Sequence, residues 1–133
     1  MKVYKNKWFQ RFARRERIKD TQLCEEVARA EQGLIDADLG GGLIKQRVAR
    51  PGAGKSGGYR TLVFFRAGTR AVFAFGFAKS DQDNIDEDDE ADLKKAAKLT
   101  LGFTEEDVEK LVEAGTLVEV KCNDEEERQD LPE

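Results

Sequence analysis

The sequence predicts an α+β fold, with two short N-terminal helices packed on one face of a mainly antiparallel sheet and further helices at the C-terminal end. Three observations predict it. Residues 7–34 carry apolar positions at helical spacing in two segments parted at Lys19-Asp20. Residues 43–79 hold three apolar-rich segments of strand length, joined by glycine-containing connections that suit antiparallel neighbours. After Lys79 the chain becomes acidic, and the helical spacing returns.

Taken in order, Met1–Asn6 reads as a short first strand, because Val3 alternates with charged neighbours. Lys7–Ile18 reads as a helix with Trp8, Phe9 and Phe12 on one face; Arg11, Arg14, Arg15 and Arg17 fall mostly on the other. Asp20 suits the N-cap of a second helix over Thr21–Leu34, whose stripe is Leu23, Val27, Ala30 and Leu34. Leu39-Gly40-Gly41-Gly42 then ends the helical region. In Leu43–Ala49 the period of two sets Ile44, Gln46 and Val48 on one side and Leu43, Lys45 and Arg47 on the other. A flexible glycine-rich connection follows, with Lys55 at its tip. Tyr59–Arg66 and Thr69–Phe77 are apolar at successive positions, as expected of central strands covered on both faces, and Ala67-Gly68 makes the turn between them.

The stretch SDQDNIDEDDEAD leads into a helix that starts at Asp86 or Asp88 and runs to Leu101, with Gly102 as its terminator. Thr104 and Asp107 have capping-box spacing for the next helix, Phe103 and Val108 form its staple, and Gly115 stops it. Thr116–Val120 reads as a final strand. The expected organisation is one domain over 1–120, with a core over 1–101, an extension over 102–120, and an acidic, disordered tail over 121–133.

Composition narrows the function. No run approaches the roughly 18 apolar residues of a membrane span, and MKVYKNKWFQRF lacks the apolar centre of a secretory leader, so a cytoplasmic protein is expected. Cys24 and Cys122 are far apart and outside any metal-binding spacing, so two free thiols are expected. The net charge of −4 conceals a division. Residues 1–80 hold 17 Lys and Arg against 7 Asp and Glu, while residues 81–133 hold 6 against 20. A basic sheet with a phosphate-bearing partner, RNA, accounts for the first half, and Arg50, Arg66 and Arg70 join the RNA-binding set.

ARPGAGKS, residues 49–56, satisfies a relaxed phosphate-loop pattern. That motif needs a helix directly after its Lys-Ser, and here a strand follows, so no nucleotide cofactor is expected. The acidic run at 81–92 lacks calcium-loop spacing, so no metal is expected either. With no histidine in the chain, imidazole chemistry is excluded. Lysine and arginine remain, and both bind phosphate. RNA can be cut without metal when the 2′-OH attacks the adjacent phosphorus, leaving a 2′,3′-cyclic phosphate and a free 5′-OH. That step needs a base, cations for the phosphorane charge, and an acid. Lys45, Arg47, Lys55, Arg60 and Lys79 are the candidate catalytic residues. Composition leaves passive nucleic-acid binding equally open.

The run from Gly40 to Ile85 contains KxR at Lys45 and Arg47, GxGKxGGxR from Gly52 to Arg60, and FxKxxxxN at Phe77, Lys79 and Asn84. This pattern resembles the RelE/HigB family of bacterial type II toxins over about residues 1–101. The resemblance implies a small toxin fold with a curved antiparallel sheet. It also implies an mRNA endonuclease acting on the ribosome, a cognate antitoxin that blocks it, and no cofactor. Lys45, Arg47, Lys55 and Arg60 would bind and activate the scissile phosphate, with Lys79 near the end of the last core strand. Many relatives carry an aromatic hydroxyl or imidazole late in the sheet, where this chain has Phe77. Tyr59, the nearest phenol, alternates onto the face opposite Arg60. The superfamily also includes ParE-like proteins that target gyrase, so the alternative reading is a non-catalytic RNA- or protein-binding module of the same fold. The acidic extension has two readings: a cover over the basic sheet that imitates antitoxin or RNA phosphates, or a helix and strand that merely enlarge the core.

Overall fold

The computed structural model describes residues 1–82 and 84–122. The expectation for Asn123–Glu133 lies outside the described residues. The elements run β1 (Lys2–Asn6), α1 (Lys7–Glu16), α2 (Asp20–Glu31), β2 (Ala37–Gly40), β3 (Leu43–Arg50), β4 (Gly54–Arg66), β5 (Arg70–Ala78), α3 (Glu87–Leu101), α4 (Glu105–Glu113) and β6 (Leu117–Val120). One six-stranded sheet has the order β2-β3-β4-β5-β1-β6. Every neighbouring pair is antiparallel except β1 with β5.

The sheet has a core on each face. On the first, Phe9 and Phe12 of α1 and Leu23, Val27 and Ala30 of α2 pack on Ile44, Val48, Tyr59, Val63 and Phe73. On the second, Ala97 and Leu101 of α3 and Val108 of α4 pack with Leu43, Leu62, Phe64, Val72 and Phe77. This double cover is why β4 and β5 read as unbroken apolar runs.

Local chemistry sets the helix ends. The Asn6 side chain accepts the Phe9 N–H at 2.8 Å and starts α1. Asp86 caps α3 by accepting the Asp89 N–H at 2.8 Å. Thr104 and Asp107 exchange reciprocal bonds of 3.0 Å each at the start of α4. Asp20 is the first residue of α2 rather than its cap; its carboxylate pairs with the Lys5 ammonium at 3.0 Å. The helix also ends sooner than its apolar stripe suggests. Gly33, in the left-handed region, turns the chain, and Leu34 is left exposed. The segment expected only to end the helical region holds a further strand, β2, paired with β3.

At the C-terminal end the structure selects one of the two readings of the extension and changes the expectation for the cysteines. Residues 105–120 do not lie over the cationic strands, because β6 pairs with β1 at the far edge of the sheet and Val108 and Leu117 enter the second core. The β1–β6 pairing also returns the chain to α2, where Cys122 and Cys24 form a disulfide with their Cα atoms 5.6 Å apart. Their sequence separation of 98 conceals this proximity, and the expected free thiols are not found. Among the described residues no helix is long and apolar enough to cross a membrane.

Candidate functional site

Register decides which basic side chains share a face. Across the β3–β4 ladder, Lys45 stands opposite Leu62, Arg47 opposite Arg60, and Val48 opposite Tyr59. Across β4–β5, Arg60 stands opposite Phe77. Directly opposed residues lie on the same side of a sheet. Lys45, Arg47, Arg60 and Phe77 therefore share the face that bears α3 and α4, and the Lys79 N–H donates to the Gly58 carbonyl at 3.0 Å, extending the same ladder. Arg47 and Lys79 are exposed, so this end of the face is open to solvent. The Lys45 ammonium donates to Asn84 Oδ1 at 3.3 Å, which ties the loop after β5 to the face.

Arg60 is the buried member of the group, 7% exposed. Its Nη1 donates to the Lys55 carbonyl at 3.2 Å and its Nη2 to the Ser56 carbonyl at 3.1 Å. Burial first, and the facing Arg47 charge second, lower its pKa from the ordinary guanidinium value, with Asp36 acting the other way. A guanidinium has five N–H groups and stays cationic at neutral pH; among the described residues two are engaged, which leaves three for a ligand's oxygens. The Asp36 carboxylate is engaged by the Arg47 backbone N–H at 2.7 Å. A phosphodiester laid across Arg47 and Arg60 would meet two planar forks, with an ammonium on either flank at Lys45 and Lys79.

The structure departs from the expected set at Lys55. The glycine-rich segment is mostly strand rather than connection: β4 begins at Gly54, and only Pro51–Ala53 form the turn. A side chain at residue 58 would run into the Val48 and Gly54 carbonyls, so Gly58 is what lets the two strands close here. Between Lys55 and Arg60 the ladder is irregular: its register shifts between Val48 and Arg50, and the Gly57 N–H donates back to the Ala53 carbonyl at 3.3 Å, so strict alternation does not carry through to Lys55. The Lys55 ammonium pairs with Glu26 Oε2 on α2 at 2.6 Å, on the helix side of the sheet, rather than joining Lys45, Arg47 and Arg60.

The expected RNA-binding arginines do not form one group with Arg47 and Arg60: Arg66 and Arg70 pair at the far end of the β4–β5 ladder. Arg70 is 2% exposed and donates to the Thr100 and Phe103 carbonyls at 2.9 Å each and to Glu105 at 3.0 Å. It closes the α3–α4 junction and has no surface to offer RNA. Arg66 bonds the Leu101 carbonyl at 2.8 Å and stands opposite Arg70, about 20 Å along β4 from Arg60 at strand rise. Arg50 lies over the Tyr59 ring at 5.6 Å and reaches Ser80 at 3.4 Å.

Tyr59 is turned to the first core. Its hydroxyl donates to Glu16 Oε1 at 3.0 Å, and burial, then that bond, raise its pKa. Phe77 is buried beside Arg60 and adds apolar surface but no proton donor. An apolar cavity of about 310 Å³ opens between the sheet and the α3–α4 pair, lined by Phe64, Leu93, Phe103 and Leu111. It contains none of the cationic residues. Glu26 is absent from the expected set altogether. Its spacing three residues after Leu23 and four before Ala30 puts it on the buried stripe of α2, which was the one available signal.

Among known proteins, a family model described as "RelE toxin of RelE / RelB toxin-antitoxin system" matches residues 1–120, a span that runs through α4 and β6. No curated protein and no solved structure matches the chain.

Proposed function

From the premise that the chain belongs to the RelE toxin family of toxin–antitoxin systems, we propose that it is a ribosome-dependent mRNA endonuclease neutralised by a cognate antitoxin. Membership in the family implies the antitoxin. The observation that carries the enzymatic reading is the Arg47–Arg60 pair, two arginines directly opposed across β3–β4 at the solvent-open end of a sheet face that also bears Lys45 and Lys79.

In the proposed step the RNA 2′-oxygen forms a bond to the adjacent phosphorus while the bond to the 5′-oxygen breaks. The products are a 2′,3′-cyclic phosphate and a 5′-hydroxyl. Arg47 and the remaining donors of Arg60 hold the non-bridging oxygens and oppose the charge that builds on the phosphorane. Lys45 and Lys79 are assigned the two proton transfers, one from the 2′-hydroxyl and one to the leaving 5′-oxygen. Asn84 orients Lys45 through their 3.3 Å contact. The ribosome contributes the mRNA in the extended form that an in-line attack requires.

One observation favours a second reading, a non-catalytic RNA- or protein-binding module, including a gyrase-directed one. Phe77 occupies the position beside Arg60 without a hydroxyl or imidazole, and Tyr59 faces the other way. Induced expression followed by primer extension on cellular mRNA separates the two. In-frame cleavage that disappears in Arg60→Ala supports the enzyme. Growth arrest with intact transcripts supports the binding module.

A further inference from the structure

Glu26 is a carboxylate on a helix face that otherwise buries Leu23, Val27 and Ala30. It is 3% exposed. A buried carboxylate is costly unless paired and hydrogen-bonded, and this one is doubly satisfied. Arg29 Nε donates to its Oε1 at 3.2 Å, and the Lys55 ammonium reaches its Oε2 at 2.6 Å. Such a pair often contributes little net stability, so its position in the fold matters more than its strength.

That position is the root of the glycine-rich hairpin limb. Residues 52, 54, 57 and 58 are all glycine, and the β3–β4 register shifts between Val48 and Arg50. A limb of that composition has wide backbone freedom. Only one of its side chains reaches the helix layer through an ion pair with Glu26, namely Lys55. The carbonyls of Lys55 and Ser56 are the two acceptors that hold the Arg60 guanidinium. The chain of contacts is therefore continuous: α2 carboxylate, Lys55 ammonium, Lys55–Ser56 backbone, Arg60.

We propose that Glu26 is a positioning residue for the cationic face, clamping the glycine-rich limb through Lys55 so that its carbonyls aim Arg60. The proposal rests on reading the Arg47–Arg60 face as the phosphate site. It assigns Lys55 to the support of that site from behind, on the opposite side of the sheet.

The test uses the full chain. Nitrogen-15 labelled wild type, Glu26→Gln and Lys55→Met are compared by the Arg60 Nε–Hε resonance, assigned with Arg60→Lys, and by mRNA cleavage on programmed ribosomes. The clamp predicts that both variants shift or broaden the Arg60 signal. It also predicts a fall in cleavage of roughly tenfold to a hundredfold, the scale of a misplacement of about 1 Å. The Glu26→Met/Lys55→Met double variant replaces the pair with apolar side chains and keeps the fold if either single change does not. It should match the single variants rather than add to them. An Arg60 resonance that stays unmoved and sharp in all three overturns the clamp. If Arg60→Lys cleaves like wild type, the phosphate-site reading fails instead, and the resonance still decides whether Glu26 holds Arg60.

Discussion

Arg60 lies directly opposite Arg47 across the β3–β4 ladder, and the pair brings two like charges together on one face. Burial, and after it the Arg47 charge, depress the Arg60 pKa. The free protein is therefore under electrostatic tension that an anionic ligand would relieve. Arg47→Ala should make the protein more stable and less active at once. The gain should be roughly 0.2–0.5 kcal/mol in urea denaturation at low salt, the lower part of the like-charge range because Arg47 is exposed and screened. It should shrink in 0.5 M salt, where the Debye length is only about 4 Å. Cleavage should drop at least tenfold. Loss of both stability and activity would point to a packing role instead.

Arg70 tests the division between structural and ligand-facing arginines. Its guanidinium joins the carbonyls of Thr100 and Phe103 to the Glu105 carboxylate while nearly fully buried. Arg70→Met should cost about 2–4 kcal/mol, since two buried carbonyls lose a charged donor. Cleavage per folded molecule should be unchanged at 20 °C. A selective loss of RNA affinity with wild-type stability would reverse the assignment.

The same arginine shows where sequence reading stops. Strand β3 was legible because alternation is a local property, and the α4 start at Thr104 was legible because a cap is made within four residues, whereas the acidic run before α3 left Asp86 and Asp88 both open as its start. The placement of Lys45 and Arg47 on one face and Gln46 on the other followed from the same rule. Arg70 looked like its basic neighbours because its burial comes from α3 and α4, some 30 residues later. Lys55 was not legible, because the β3–β4 register shift breaks the period of two on its limb and its partner Glu26 lies on α2. The parallel β1–β5 pairing and the Cys24–Cys122 bond depend on where distant segments meet, for which no local pattern exists.

The disulfide makes its own prediction. Closing a span of 98 residues restricts the unfolded chain, and the chain-entropy model gives about 4–5 kcal/mol for a loop of that size. Reduction, or Cys24→Ser, should lower the urea midpoint accordingly while leaving the far-ultraviolet circular dichroism in place. Free-thiol titration of the purified, unreduced protein should find no reactive cysteine. Two reactive thiols and a stability indifferent to reductant would contradict the bond.

Alkaline stability should depend on Tyr59. Its phenol is held above the ordinary tyrosine pKa of 10.0 by burial and by the bond to Glu16. Above pH 10 the unfolded chain releases this proton while the folded protein retains it, so stability falls as pH rises through the unfolded value toward the folded one. Tyr4, raised mainly by burial, contributes in the same direction. Tyr59→Phe should flatten part of the decline between pH 9.5 and 11, and Tyr59→Phe/Tyr4→Phe should flatten more. The check is a series of urea midpoints across that range.

Two glycines in the hairpin should behave very differently, although both fall in the same motif. At residue 58 a Cβ would run into the Val48 carbonyl, lie 2.7 Å from the Gly54 carbonyl and 3.0 Å from the Arg50 nitrogen. Those are backbone atoms on both limbs, so they cannot rotate aside as a side chain could. Gly58→Ala should force the strands apart beside the Lys55 and Ser56 carbonyls that hold Arg60, costing roughly 2–3 kcal/mol and most of the cleavage. At residue 52 a Cβ meets nothing within 4 Å, and the only penalty is a φ of +81°. Gly52→Ala should cost about 1 kcal/mol of strain in the turn and leave cleavage near wild type. Equal losses at both positions would mean that the tip, rather than the limb carrying Lys55 and Ser56, supports the site. A selective loss at Gly58 would tie the close approach of β3 and β4 directly to the aim of Arg60.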